Sequence, residues 1–138
     1  MNYITYIAIS LIVVFMLWQF LPFYRARQMC GRSAPNIENL LNDKQKAYSS
    51  LLIYFWSPQC VMCKGMSKII DEHATTHDNI LKVDVMQNIT LTSAFGVMGT
   101  PSIVLLIDDK IKNILVGKKN NNQITEFLRS DIIKIRVR

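Results

Sequence analysis

Cys60 and Cys63 stand with two residues between them in the run Ser57-Pro58-Gln59-Cys60-Val61-Met62-Cys63-Lys64. At the start of a helix, that spacing brings two sulfurs within reach of a disulfide. The first N–H groups of a helix have no partners inside it. With the positive end of the helix dipole, they favour a thiolate over a thiol. Cys60 is then the attacking thiol, and Cys63, one turn in, is the resolving thiol that displaces a partner from a mixed disulfide. The same pair would also serve as half of a zinc site, but zinc needs two more ligands. The other Cys and His residues are Cys30, His73 and His77, and both histidines lie several turns down the predicted helix. No metal is therefore expected, and no cofactor beyond a redox-active Cys60–Cys63 disulfide.

Met62, Met66 and Met98 open a Cu(I)-handling alternative, because thioethers and thiolates together suit a soft ion. The plainer reading makes Met62 and Met98 an adaptable apolar rim for a partner, with Met66 in the core. Gly99-Thr100-Pro101 precedes the apolar run Ser102–Ile107, where Pro101 reads by itself as an ordinary strand-entry proline.

These residues need elements to position them. Leu51–Trp56 (LLIYFW) is a short aromatic-rich apolar run, suited to a buried central strand. From Cys60 to about His77 the apolar positions Met62, Met66, Ile69 and Ile70 recur at helical spacing. Ile80–Val85 alternates as a strand, and Thr90–Phe95 is a short helix ended by Gly96. Ser102–Ile107 and Ile111–Val116 form a hairpin about Asp108-Asp109. Asn120–Asn122 starts a last helix bearing Ile124, Phe127, Leu128 and Ile132. Upstream, Asn36 caps a helix through Ile37, Leu40 and Leu41. Strands alternating with helices imply a parallel part, and the terminal hairpin adds an antiparallel strand.

Over about residues 50–130 the sequence resembles thioredoxin. Tyr54-Phe55-Trp56 matches the family's strand into the active site, Cys60 and Cys63 its redox pair, and Lys64 the basic residue that follows. Ile69-Ile70-Asp71-Glu72, Gly96-Val97, Thr100-Pro101 and Gly117 match later family positions. The resemblance implies a thioredoxin-like α/β fold, a central mixed sheet flanked by helices. It implies a cis Thr100–Pro101 bond, a minor form that the fold must hold. It also makes Thr100 and Pro101 substrate contacts, joined around the cysteines by Trp56, Gln59, Val61, Met62 and Met98. The implied activity is thiol–disulfide exchange with protein partners.

The sequence departs from that family at positions that bear on mechanism. Gln59 replaces the usual aromatic residue before the first cysteine, and Val61-Met62 replaces Gly-Pro between the cysteines. The family's buried acid falls at Tyr54, the lysine near that acid at Lys82, and the helix-kinking proline at Lys68. Intervening residues and proton relays set thiol pKa and redox poise, so the direction of electron flow does not carry over. A non-catalytic adaptor with the same fold is the second alternative.

Residues 2–24 contain no Asp, Glu, Lys or Arg. About 20 helical residues cross the hydrocarbon core. Tyr3 and Tyr6 at one end and Trp18, Phe20, Phe23 and Tyr24 at the other form aromatic belts. No basic residue precedes the run and no small-residue cleavage site follows it, so a retained transmembrane helix is expected. Arg25, Arg27 and Arg32 come next and place the remainder in the cytoplasm by the positive-inside rule, with an extracytoplasmic domain as the alternative. The expected organisation is an anchor at 1–24, a juxtamembrane linker at 25–36 and a domain at 37–138. Cys30 reads as a bystander thiol. The tail from Ile132, with Lys134, Arg136 and Arg138, reads as a solvated end or a headgroup contact.

Of the 138 residues, 50% are hydrophobic and 19% charged, which excludes a disordered chain. Three cysteines are too few for a disulfide-stapled mini-protein. The net charge of +6 divides into the three juxtamembrane arginines and a nearly balanced domain. No patch joins basic residues to base-stacking aromatics, so nucleic acid is not an expected partner. Protein thiols and disulfides at or near the membrane are the expected partners.

Overall fold

In a computed structural model, the described residues are 2–132. Strand β1 (Ser50–Trp56) is buried at every position from Ser50 to Phe55, as its apolar run requires. It lies parallel to β2 (Ile80–Asp84) and antiparallel to β3 (Ser102–Ile107), which in turn pairs antiparallel with β4 (Lys110–Val116). The sheet order is β2-β1-β3-β4. The β3–β4 turn places Asp108 and Asp109 at φ 49° and 59°, the left-handed pair that a two-residue hairpin uses.

Side chains alternate across the sheet with period two. Leu51, Ile53 and Phe55 face one core with Val83, Phe95, Val104 and Ile111. Leu52 and Tyr54 face the other with Met66, Ile70, Ile103, Leu105 and Ile124. The second face is covered by α3 (Val61–Ala74) and α5 (Asn121–Ile132), the first partly by α4 (Ile89–Ala94) and the segment before β1. Asn120 starts α5 with a reciprocal cap: its Oδ1 accepts the Gln123 N–H at 2.9 Å, and Gln123 Oε1 accepts its own N–H.

The segment before β1 differs from the single helix expected after Asn36. Asn36 Oδ1 accepts the Glu38 N–H at 3.0 Å and starts only a 3₁₀ turn, Glu38–Leu40. Leu41 then turns extended, and Asn42 caps a separate short helix, α2 (Asp43–Lys46), in a capping box with Gln45. The Gln45 amide is spent on tertiary structure, donating to the Ile80 carbonyl at 2.9 Å.

Helix α1 (Asn2–Met29) is longer than the expected anchor and carries Arg25 and Arg27 on its last turns. Its stretch Asn2–Leu21 is long and apolar enough to cross a membrane, and none of it is buried by the protein. Gly31, at φ 86°, ends the helix. Residues 31–34 are not a loose linker but run along the start of β4. Gly31 N–H donates to the Ile111 carbonyl at 2.6 Å, Ile111 N–H to the Arg32 carbonyl at 2.9 Å, and Ala34 N–H to the Asp109 carbonyl at 2.7 Å. Met29 packs against the first core. The basic tail with Lys134, Arg136 and Arg138 lies outside the described residues.

Candidate active site

β1 ends at Trp56, and the turn Ser57-Pro58-Gln59 delivers the chain into α3. Cys60 is the N-cap of that helix: its N–H donates to the Ser57 carbonyl at 3.1 Å, and its Sγ accepts the Cys63 N–H at 3.1 Å. Cys60 and Cys63 are disulfide-bonded with Cα atoms 5.2 Å apart. Cys60 is half-buried, whereas Cys63 is only 1% exposed. An N–H aimed at the first sulfur is the feature that stabilises a thiolate there once the disulfide opens.

Beneath the pair lies Tyr54, with no exposed surface. Its hydroxyl donates to the Cys63 carbonyl at 3.3 Å and exchanges a hydrogen bond with Ser67 Oγ at 3.2 Å. Burial raises the phenol pKa above its ordinary value; the Ser67 hydrogen bond opposes this, and the nearby Asp71 carboxylate adds to it. The group under the disulfide is therefore a neutral phenol. Lys82 does not turn toward Tyr54. Its Nζ pairs with Asp71 Oδ1 at 2.6 Å and sits 5.4 Å from the centroid of the Trp56 ring.

The Thr100–Pro101 peptide bond is cis. Pro101 is buried and Thr100 half-buried. The loop is tied by Ser102 Oγ donating to the Gly99 carbonyl at 2.7 Å and by Gly117 N–H donating to the Pro101 carbonyl at 2.9 Å. Thr100 and Met98 line a groove of about 370 Å³ that runs from Ser57 past Val85, Met86 and Ile89. Ser57 joins this groove to the disulfide, since its carbonyl holds the Cys60 N–H.

Of the other residues singled out from sequence, Trp56 is half-buried under Lys82. Gln59 is exposed, its Oε1 accepting from Ser57 Oγ at 2.8 Å. Val61 (79%) and Met62 (53%) stand in solvent on the first turn of α3. None of these four lines the groove. Sequence reasoning missed Met86 and Ile89, which are 58% and 65% exposed. Their signal was present: both are large apolar residues, one in the β2–α4 connection and one at the first position of α4, that neither core needs. Met66 is fully buried, away from solvent-facing Met62 and Met98. His73 Nε2 is bonded to Asn121 Oδ1 at 3.0 Å, and His77 Nδ1 lies 3.1 Å from the His73 carbonyl.

The thioredoxin family model matches residues 32–130. A thioredoxin from Pseudomonas aeruginosa is 29% identical over 93 residues, covering 65% of this chain and 86% of its own. One from Griffithsia pacifica is 29% identical over 83 residues, with 58% and 72% covered. Among solved structures, a mutant thioredoxin from Halobacterium salinarum superposes with a TM-score of 0.61 at 25% identity, covering 71% of this chain and 86% of that one. A four-stranded mixed sheet delivering a C-x-x-C disulfide to a helix N-terminus is the architecture of a thiol–disulfide exchange domain. This chain belongs to the thioredoxin family. That membership and the Cys60–Cys63 pair support thiol–disulfide oxidoreductase activity in general.

Proposed function

We propose that the chain is a membrane-tethered thiol–disulfide oxidoreductase acting on protein partners near the bilayer. The observation that carries the chemistry is the Cys63 N–H directed at Cys60 Sγ from the first turn of α3. In the reduced protein, the Cys60 thiolate attacks a partner disulfide. A mixed disulfide forms and one partner sulfur leaves as thiolate. Cys63, deprotonated, then attacks Cys60 Sγ, which closes the internal disulfide and releases the second partner sulfur. Two electrons and two protons pass from the dithiol to the partner, and the reverse sequence oxidises a partner dithiol. Thr100, Pro101 and Met98 orient the partner chain, and Trp56, Gln59, Val61 and Met62 flank the attacked sulfur.

The stretch Asn2–Leu21 supports the tether, because an exposed 20-residue helix so rich in apolar side chains is costly in water and matches a bilayer. Arg25, Arg27 and Arg32 favour a cytoplasmic domain. Tethering raises the effective concentration of the site toward membrane partners.

Full-length protein in detergent should catalyse dithiothreitol-driven reduction of a protein disulfide, and Cys60→Ser should abolish it. Undiminished turnover in that variant would sink the assignment. In cells, Cys63→Ser should trap partners on Cys60, and resistance to alkaline carbonate extraction should report the tether. A reporter fused to the C-terminus reads the membrane side.

A further inference from the structure

A second concavity lies at the opposite end of the polypeptide's logic, where α1 meets the sheet. It measures about 590 Å³ and is walled by Phe20, Tyr24 and Arg27 of α1, by Asn113 and Ile114 of β4, and by Lys119 beyond it. Residues 31–34 cover only the start of β4, at Lys110 and Ile111. Past that point the strand is the outer edge of the sheet, paired with β3 on one side and with no strand on the other among the described residues. The walls are held in place: Met29 is packed into the first core, and the 31–34 segment is hydrogen-bonded to β4.

The chemistry of this groove is mixed. Phe20 and Ile114 give it apolar wall, while Tyr24, Asn113, Arg27 and Lys119 give it polar and cationic wall. No carboxylate among the described residues pairs with Arg27 or Lys119; the ion pairs are Lys44–Asp78 and Lys82–Asp71. The α1 wall also matches the depth of a bilayer surface. The apolar span ends at Leu21. At 1.5 Å per residue, Arg27 stands about 9 Å beyond that boundary and Tyr24 about 4–5 Å. The headgroup layer on each side of a bilayer is roughly 5–8 Å thick. Phe20 therefore sits at the acyl boundary, Tyr24 among headgroups, and the Arg27 backbone just beyond them, from where its side chain, which leans toward the helix N-terminus, reaches back to the phosphates. The groove's size falls within the range of about 300–1,000 Å³ typical of sites for small ligands.

We propose that this groove is a binding site for one anionic phospholipid, its phosphate between Arg27 and Lys119 and its first methylenes against Phe20 and Ile114. The inference rests on the membrane-tethered reading. A bound lipid completes the junction that fixes the redox domain against the bilayer, so that the domain is oriented rather than free on its tether.

The test uses the full chain solubilised in dodecyl maltoside, with dioleoyl phosphatidylglycerol or dioleoyl phosphatidylcholine as probe and native mass spectrometry as readout. One phosphatidylglycerol per chain should be retained, and phosphatidylcholine should not. The double variant Arg27→Gln/Lys119→Gln should lower retention roughly thirtyfold, with reductase turnover unchanged. The control Arg25→Gln/Lys118→Gln removes the same charge outside the groove walls and should retain the lipid. Equal retention of the two lipids, an equal loss in both double variants, or displacement by millimolar inorganic phosphate would each overturn the site. Release of the chain by alkaline carbonate would instead refute the tether, so the two failures are distinguishable.

Discussion

The hydroxyl of Tyr54 donates to the carbonyl of Cys63 at 3.3 Å, from a position with no exposed surface. It ties the first turn of α3 to β1 directly below the disulfide and holds the Cys63 N–H toward Cys60 Sγ. Tyr54→Phe removes this bond and the one with Ser67, taking a donor from the Cys63 carbonyl and an acceptor from the Ser67 hydroxyl. The expected loss of stability is about 1–3 kcal/mol by denaturant unfolding. Cys60 alkylation in the reduced variant should shift to higher pH as the first turn loosens, whereas an unchanged alkylation profile would limit Tyr54 to packing.

The same phenol sets an alkaline limit. Its pKa is raised by burial above the ordinary 10.0, so the folded state holds the proton more tightly than the unfolded chain does. Its contribution to stability is fully present below pH 10 and falls as pH rises beyond it, because the unfolded chain ionises first. Unfolding free energy should therefore drop more steeply above pH 10 in the wild type than in Tyr54→Phe. Parallel curves would mean that Tyr54 does not titrate with folding.

Differential exposure separates the two cysteines. Cys60 is half-buried and capped by an N–H, and Cys63 is 1% exposed. Limited iodoacetamide treatment of the reduced protein at neutral pH should label Cys60 alone. Peptide mapping reads the outcome, and preferential labelling of Cys63 would reverse the roles.

The groove beside the disulfide predicts a split between large and small substrates. Ile89 and Met98 line it while exposing 65% and 52% of their surface, so a charge at either is tolerated in the fold. Ile89→Glu or Met98→Glu should cut kcat/KM for a protein disulfide about tenfold, the worth of one apolar side chain docked on a partner. Turnover of a small aromatic disulfide, which needs no groove, should stay within about twofold. A matching loss on both substrates would place these residues in the chemistry instead.

What could be read from sequence tracks how local each cause is. Ser102–Ile107 and the Asp108-Asp109 turn come from a contiguous apolar run and its turn residues, and both are found at those bounds. Cys60 as a helix start follows from spacing and is seen as the N-cap. The split of the Asn36 segment was hidden because Asn42 competes as a cap and Gln45 answers a distant carbonyl at Ile80. Residues 31–34 looked like a linker because their partners, Asp109 and Ile111, lie some 75–80 residues away in the chain. Met86 and Ile89 acquire meaning only when the β2–α4 connection lies opposite the loop at Met98.

The contact between Met29 and Gly96 links the end of α1 to the loop that carries the cis-proline. Gly96 has φ 69°, and a Cβ built there would stand 2.6 Å from Met29 Cγ. That carbon is in the middle of a side chain packed against the first core, so it cannot simply swing away. Gly96→Ala should therefore cost stability twice, once for the left-handed backbone and once for the overlap, roughly 2–4 kcal/mol together. Met29→Ala removes the overlap and leaves the backbone cost. The double variant should then be more stable than the sum of the single losses implies, with a coupling of about 1 kcal/mol or more. Denaturant unfolding of the four proteins in one detergent measures it. Strict additivity would mean that the end of α1 does not rest on the Gly96 turn, and that α1 and the cis-proline loop are mechanically independent.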